Sequence, residues 1–294
     1  MGEIAALGAA TAWASGFVLL RAVPDRYNIL NLNALRMSGP ALVYVIGLVL
    51  IGWLPRIREL ELTNYVALAA TCVTGIAVAD LLMIRGMRLI GVGRAYALGG
   101  FAPLFTTLFA WLLLDEVINE FVILGAVLVI AGCLLVMRRN QKEKGEASLG
   151  SRDYWVAVGL VIFATMIWGI DFVLLSVGVG EAHPIVANSF RLPVAALFST
   201  ALAWGITGEV VPRGIVLKHA WLAVLAGIVG ISVGSFLLLT SLQMIGAARG
   251  AAISAVSPVI TMILAAIFFR ERMNALAIVG VFVAVIGVIF VSVS

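Results

Sequence analysis

The stretch Leu32–Trp53, LNALRMSGPALVYVIGLVLIGW, is apolar enough to dissolve in lipid except for one cation, Arg36. A second stretch, Asn188–Trp204 with the sequence NSFRLPVAALFSTALAW, also contains a single arginine, Arg191. In both stretches the arginine follows an asparagine by three residues. An ionised guanidinium inside a bilayer costs roughly 2.5 to 3.5 kcal/mol on insertion scales. Two arginines at matched positions are therefore not readily explained as an accident, and they indicate that the two stretches are related.

The composition of the chain is that of an integral membrane protein. Of its 294 residues, 63% are hydrophobic and 12% are charged, and the mean hydropathy is +1.15. Soluble domains are about 45 to 50% apolar and about 25% charged. The apolar residues form blocks of about 18 to 26 residues, and about 20 residues of α-helix cross the hydrocarbon core. We therefore predict transmembrane helices and not a β-barrel, whose strands would show short alternating segments.

The apolar blocks predict ten transmembrane spans, at residues 4–21, 30–53, 63–88, 92–114, 120–137, 154–177, 184–206, 218–243, 247–269 and 275–293. A polar segment, RRNQKEKGEASLGSRD at 138–153, separates a five-helix repeat at 1–137 from a second one at 154–294. Most Lys and Arg residues follow odd-numbered spans, so the positive-inside rule predicts a cytoplasmic linker and two external termini.

The two halves are copies at a constant offset, because 191 − 36 gives 155. The same offset maps Trp13 onto Trp168, Pro103 onto Pro258, Glu116 onto Glu271, and Gly125 and Gly132 onto Gly280 and Gly287. Glycines spaced in this way allow helices to approach closely. A repeat with an odd number of spans enters the membrane in the opposite sense the second time. The sequence therefore predicts an all-α membrane fold of two inverted five-helix repeats, an arrangement typical of secondary transporters.

Each arginine has two interpretations. Near the end of a span, Arg36 and Arg191 could extend to the lipid headgroups. Alternatively, each faces the helix bundle and binds carbonyls, an acid or an anionic substrate group. Asn33 and Asn188 lie on the same helical faces as the arginines that follow them, which favours a role inside the bundle.

Two acids break the repeat. Asp80 has Ser235 at the equivalent position, and Asp171 has Gly16. A carboxylate in the middle of a span must be protonated, paired or facing water. Such groups relay protons or bind amines, and the alternative is a structural ion pair with Arg36, Arg191 or Arg85.

Aromatic residues and prolines supply further candidates. Trp13 and Trp168 lie well inside their spans, and Trp168 shares a face with an acid three residues later, so the pair could stack a ring or hold a cation. Plain packing is the alternative for the two tryptophans, and Tyr96 is a weaker candidate for the same cavity. Pro103 and Pro258 interrupt two spans and are candidate hinges or static kinks.

No catalytic or metal-binding constellation is present in the sequence. The two histidines, His183 and His219, lie at span ends, and there is no cysteine cluster or phosphate-binding glycine loop. We therefore expect no enzyme activity, no cofactor, no metal and no nucleic-acid partner. Transport energy would come from a gradient.

The doubled order of motifs resembles the EamA-type drug/metabolite transporters. TAWASGFVLL and TMIWGIDFVLL, NALRMSG and NSFRLPV, and FAPLFTTLFAWLLLDE and VSPVITMILAAIFFRE carry this resemblance. It implies a ten-helix carrier of small organic metabolites, often an exporter, with a central cavity. The family pattern carries onto Trp13, Arg36, Pro103, Glu116, Trp168, Arg191, Pro258 and Glu271. At Asp171 the family more often has a small or amide residue, which hints at a cationic or zwitterionic solute or a proton site.

We therefore predict a secondary active transporter of small metabolites, such as amino acids or aromatic amines, that works by alternating access. The expected partners are the substrate and the lipid bilayer of the cell (inner) membrane, protons are the candidate coupling ion, and the expected state is a monomer or weak dimer. The alternative is a non-transporting receptor or scaffold. The candidate binding or coupling residues are Trp13, Asn33, Arg36, Asp80, Tyr96, Trp168, Asp171, Asn188 and Arg191.

Overall fold

The computed structural model describes residues 1–24, 27–90, 98–137, 151–269 and 275–293, and all regular secondary structure in these residues is helical. The α-helices are α1 Gly2–Arg21, α2 Ile29–Leu50, α3 Leu62–Thr71, α4 Asp80–Ile90, α5 Ala102–Leu114, α6 Glu120–Met137, α7 Ser151–Val179, α8 Pro184–Thr207, α9 Leu217–Gly227, α10 Gly234–Ser254, α11 Ser257–Phe269 and α12 Ala275–Ser292. Two π-helical stretches, Cys72–Ala79 and Ile228–Val233, join α3 to α4 and α9 to α10.

The helices have the length and surface of membrane spans. Five helical runs are long and apolar enough to cross a bilayer, and several shorter apolar helices accompany them. Large apolar side chains on these helices face outward, such as Leu42, Phe163 and Leu197 at 59, 55 and 71% exposure. In a soluble protein so much exposed apolar surface would be unusual, whereas lipid tails cover it favourably. The predicted all-α, multi-pass membrane class is confirmed.

The chain forms two compact units. Unit 1 contains Met1–Val73 and Leu174–Met244, and unit 2 contains Thr74–Val173 and Ile245–Ser294. This division differs from the duplication in the sequence, because each unit contains segments from both sequence halves.

In unit 1, α2 packs against α8. Asn31 donates from Nδ2 to Thr207 Oγ1 at 3.1 Å, and Leu48 packs with Val186 in one buried cluster. A residue early in α2 thus contacts the end of α8, and a residue late in α2 contacts its beginning. The two helices, which occupy equivalent positions in the two sequence halves, therefore run antiparallel.

Also in unit 1, α1 crosses the second π-helical stretch at glycines. A Cβ added at Gly16 would lie 2.8 Å from the carbonyl oxygen of Ala226 and from the Cα of Gly230. One turn earlier, Trp13 lies against Gly234, where an added Cβ would be 2.6 Å from the indole Nε1. Only glycine permits this approach of two helix backbones.

In unit 2, α6 packs against α12 through matched glycines. A Cβ at Gly125 would lie 2.6 Å from the oxygen of Gly287, and one at Gly132 would lie 2.5 Å from the oxygen of Gly280. The earlier glycine of α6 contacts the later glycine of α12, so these two equivalent helices also run antiparallel. The contacts agree with the close approach that the glycine spacing predicts.

The irregular parts of the backbone repeat with the offset of the sequence. Subtracting 155 from 228–233 gives 73–78, which lies within the first π-helical stretch at 72–79. Turns at 100–101 and 255–256 show the same offset. The duplication therefore extends to local distortions of the helices, which propensity alone would not preserve.

The predicted continuous spans around the two prolines are wrong. Pro103 and Pro258 are each the second residue of a new helix, α5 and α11, and each follows a two-residue turn. Proline is favourable at this position because the first helical N–H groups have no intrahelical partner. Similarly, the predicted span 30–53 ends earlier, where Gly52 adopts a φ of 71° after α2.

Candidate functional site

Arg191 is held inside unit 1 by hydroxyl groups from two other helices. Its Nε donates to Thr71 Oγ1 of α3 at 3.1 Å, and its Nη1 donates to Ser235 Oγ of α10 at 3.0 Å. Thr71 and Ser235 are only 2 and 4% exposed. The guanidinium therefore lies among packed helices, in the orientation of the bundle-facing interpretation.

The same polar network continues to α2. Ser235 Oγ donates to Asn188 Oδ1 at 2.8 Å, Asn188 Nδ2 donates to Tyr44 OH at 3.4 Å, and Tyr44 OH donates to the carbonyl of Ser232 at 2.9 Å. Ser232 belongs to the second π-helical stretch, where the regular backbone ladder is disturbed. We call Tyr44, Thr71, Asn188, Arg191 and Ser235 the arginine cluster.

The equivalent asparagine of the first half has different contacts. Asn33 is half-buried and makes no hydrogen bond through its side chain within the described ranges. The position equivalent to Tyr44 is 44 + 155, which is Ser199. The serine side chain is much shorter than that of tyrosine, and its hydroxyl has no hydrogen-bond partner among the described residues. Arg36 is half-buried, and its Cζ lies 5.3 Å from the centroid of the Phe17 ring. The duplicated motif therefore builds a cluster around Asn188 that it does not build around Asn33.

Asp171 lies in unit 2, in α7, with 7% of its surface exposed. Thr74 Oγ1 donates to Asp171 Oδ1 at 2.5 Å. Gly75 lies directly beneath the carboxylate, because a Cβ added there would overlap Asp171 Oδ2. Thr74 and Gly75 belong to the first π-helical stretch, so this irregular segment supplies both a donor and the space for a buried carboxylate.

The repeat explains why this space exists. Subtracting 155 from 171 gives 16, and adding 155 to 75 gives 230, so the pair Asp171 and Gly75 is equivalent to Gly16 and Gly230. In unit 1 the two glycines bring helix backbones together. In unit 2 a carboxylate occupies the same crossing, so the substitution that breaks the repeat places an acid at a helix crossing.

Trp168 lies one turn before Asp171 on the same face of α7, as its spacing predicts. It is half-buried and packs against a buried cluster that includes Ala79 and Met83. A Cβ added at Gly99 would lie 3.6 Å from Trp168 Cζ3. Asp80 begins α4, but its side chain lies outside the described part of the structure, and Tyr96 lies outside the described residues altogether.

Glu116 binds the backbone of another helical segment in unit 2. Its Oε1 accepts from the N–H of Ala247 at 2.6 Å and its Oε2 accepts from the N–H of Ala248 at 3.1 Å. Gly246, with φ 80° and ψ 172°, breaks α10 just before these residues. The carboxylate thus caps the N–H groups left free by the break, where a negative charge is also favoured by the helix dipole. Glu271, the equivalent residue, lies outside the described residues.

Glu116→Gln is expected to destabilise the protein by about 1 to 2 kcal/mol, because an amide can accept only through one of its two terminal atoms and has no charge. The corresponding fall in Tm is about 2 to 4 °C. Thermal unfolding of the purified protein measures it. The exposed Glu181 provides the matched control, since Glu181→Gln removes the same charge without removing a cap. Equal melting temperatures for the two variants would contradict the capping role.

Sequence reasoning did not identify Tyr44, Thr71, Thr74 or the role of Ser235 in binding Arg191. Hydroxyl side chains in membrane helices commonly bond to their own backbone, so they give a weak signal. Thr71 does this as well, donating to the Leu68 carbonyl at 2.8 Å while accepting from Arg191. The one available clue was Tyr44, a phenol placed in the middle of an apolar span.

The family comparison matches the chain twice, over residues 1–138 and 155–293, to the EamA-like transporter family. The chain belongs to the EamA-like transporter family. The double match shows that this EamA-family chain has a two-repeat architecture, in agreement with the duplication in its sequence.

Named relatives match parts of this EamA-family chain. It is 28% identical over 141 residues to an "Uncharacterized transporter" of Archaeoglobus fulgidus, covering 47% of each protein. It is 29% identical over 138 residues to the "Uncharacterized transporter YyaM" of Bacillus subtilis, covering 47% of this chain and 43% of YyaM. The matches thus span about half the length of these curated relatives. A solved crystal structure has the same fold, with a TM-score of 0.81 and 17% identity over 99% of this chain and 96% of the other.

Proposed function

We propose that this EamA-family protein is a secondary active transporter, most simply an exporter, of small amphiphilic metabolites such as amino acids or aromatic amines. The observation that carries the proposal is the antiparallel packing of equivalent helices. Within unit 1, α2 and α8 run antiparallel, and within unit 2, α6 and α12 do so. Equivalent helices that run in opposite directions are what two inverted repeats require.

Inversion matters because it connects the duplication to a transport mechanism. In an inverted repeat, one segment can line the path to one side of the membrane while its copy lines the path to the other side. Alternating access then follows from exchanging the conformations of the two copies. The turns before Pro103 and Pro258 are the proposed hinges, since two matched helix breaks can change angle together.

The proposed coupling residue is Asp171. Its carboxylate is buried in an apolar helix and accepts a hydrogen bond from a neutral hydroxyl, Thr74. Buried membrane carboxylates are typical of proton relays and of sites for amines. We propose that protons drive transport across the cell membrane, with Trp168 as a wall that an apolar or aromatic solute contacts.

The test is a search for the solute followed by a flux measurement. Thermal unfolding of the purified protein against a panel of amino acids and aromatic amines identifies a ligand, because a compound that binds only the folded state raises the Tm. Proteoliposomes are then used to follow that compound. The proposal expects movement driven by a pH gradient and absent from protein-free liposomes. Binding without any flux would contradict transport and favour the alternative, a receptor.

A further inference from the structure

The positive charge of Arg191 is not neutralised by any residue that the structure describes. The two groups that accept hydrogen bonds from its guanidinium, Thr71 Oγ1 and Ser235 Oγ, are neutral hydroxyls. Within the described ranges, no carboxylate forms an ion pair with it. A guanidinium among apolar helices is costly without a partner of opposite charge. Among the side chains that the structure describes, none supplies the usual membrane solution, an acid on a neighbouring helix.

In the arginine cluster each hydrogen bond is donated in the direction that leads away from the guanidinium. Ser235 accepts from Arg191 and commits its own proton to Asn188, which donates to Tyr44, which donates to the carbonyl of Ser232. Thr71 similarly commits its proton to the carbonyl of Leu68. Each hydroxyl next to Arg191 is therefore fixed as an acceptor. The cluster orients the cation but leaves its charge available.

The two halves of the sequence differ at the position that contacts Arg191. Ser235 lies at the position where the first half of the sequence has Asp80. At the second-half position the side chain that contacts the guanidinium is thus a neutral hydroxyl, where the first half has a carboxylate. A planar guanidinium matches the planar carboxylate group closely, because it can donate two parallel hydrogen bonds to its two oxygens.

From this arrangement we propose that Arg191 is the binding site for a carboxylate group of the solute, oriented by Thr71, Ser235 and Asn188. The solute supplies the negative charge that Ser235 does not. This inference rests on the proposed function and narrows its substrate class to compounds with a free carboxylate, which excludes simple aromatic amines.

The experiment measures the Tm of the purified full chain in 3-phenylpropionate, in its neutral amide and in sodium chloride, at equal ionic strength and pH. The wild type is expected to melt about 2 °C higher or more in the carboxylate than in chloride, with no shift in the amide. Inorganic phosphate serves as a second anion. A wild type that does not distinguish the carboxylate from the amide, or that responds equally to phosphate, overturns the proposal.

Ser235→Asp is the decisive variant because it places beside Arg191 the acid that the first half has at the equivalent position. Its Tm in chloride is expected to exceed that of the wild type, and its response to 3-phenylpropionate is expected to vanish. Thr240→Asp is the control, because it adds the same charge to α10 at a half-buried residue whose hydroxyl bonds only to the carbonyl of Phe236, and it should retain the response. Arg191→Gln, which keeps hydrogen-bonding capacity without charge, should also lose it. A full carboxylate response in either Ser235→Asp or Arg191→Gln would overturn the assignment.

These measurements separate the carboxylate site from transport, because binding in detergent requires no flux. A carboxylate response that Ser235→Asp abolishes, combined with no flux in proteoliposomes, would leave the site supported and contradict the transporter. If a solute without a carboxylate moved at the same rate in the wild type and in Ser235→Asp, the transporter would be supported and the carboxylate site would be contradicted.

Discussion

Gly132→Ala is expected to lower the Tm of the protein, whereas the same substitution at Gly159 is expected to leave it unchanged or raise it. At Gly132 the new Cβ would lie 2.5 Å from the backbone nitrogen of Ala284 and from the oxygen of Gly280, so α6 and α12 must separate. Such overpacking typically costs about 1 to 3 kcal/mol. At Gly159, in α7, no atom lies within 4 Å of the added Cβ, and alanine favours the helix by up to about 1 kcal/mol.

The duplication supplies an internal replicate for this prediction. Gly287 is equivalent to Gly132, because 132 + 155 gives 287, and its added Cβ would lie 2.6 Å from the nitrogen of Val129. Gly287→Ala should therefore reduce the Tm by a similar amount. Thermal unfolding of the three alanine variants in one detergent measures the effects. A Gly132→Ala variant as stable as Gly159→Ala would show that α6 and α12 are not in backbone contact.

Asp171→Asn is expected to abolish flux driven by a pH gradient, down to the level of protein-free liposomes, while solute binding is retained. Asparagine has nearly the shape of aspartate and can still accept the hydrogen bond from Thr74, so the helix crossing over Gly75 is preserved. The asparagine amide, unlike a carboxyl group, cannot take up or release a proton in the physiological pH range. Coupling should therefore fail without a loss of folding.

The measurement compares gradient-driven uptake with solute exchange at equal pH on both sides. Asp153→Asn is the matched control, because Asp153 lies on the same helix but is exposed near its beginning. The control should transport like the wild type. Coupled flux that persists in Asp171→Asn would remove Asp171 from the coupling mechanism, and a loss of binding would assign it to the solute site.

The sequence predicted the helices well because apolar block length is a direct response to bilayer thickness. It also predicted the repeat offset, which the π-helical stretches and the turns reproduce. It could not predict that new helices begin beside Pro103 and Pro258, because a proline within an apolar run is compatible both with a kink in one helix and with the first turn of a new helix. The two-residue turn before each proline decides between them.

The candidate sites were predictable only in part. The position of Arg191 in a span was evident, but an arginine that extends to headgroups and one that faces the bundle leave the same local sequence. The difference depends on Thr71 and Ser235, which come from helices distant in the chain. Similarly, Asp171 stood out as a break in the repeat, whereas the opposing Thr74 and Gly75 gave no signal because their role depends on the π-helical stretch.

Solvent access to the arginine cluster from each side of the membrane tests the central claim most directly. A variant with Cys72→Ala and Cys133→Ala has no native cysteine, and Ser235→Cys then places one thiol beside Arg191. Labelling with a membrane-impermeant maleimide is compared in right-side-out and inside-out vesicles. Alternating access by inverted repeats predicts labelling from both faces of the membrane. Addition of a transported solute should change the ratio of the two labelling rates. Labelling from one face only, or from neither, would contradict the account.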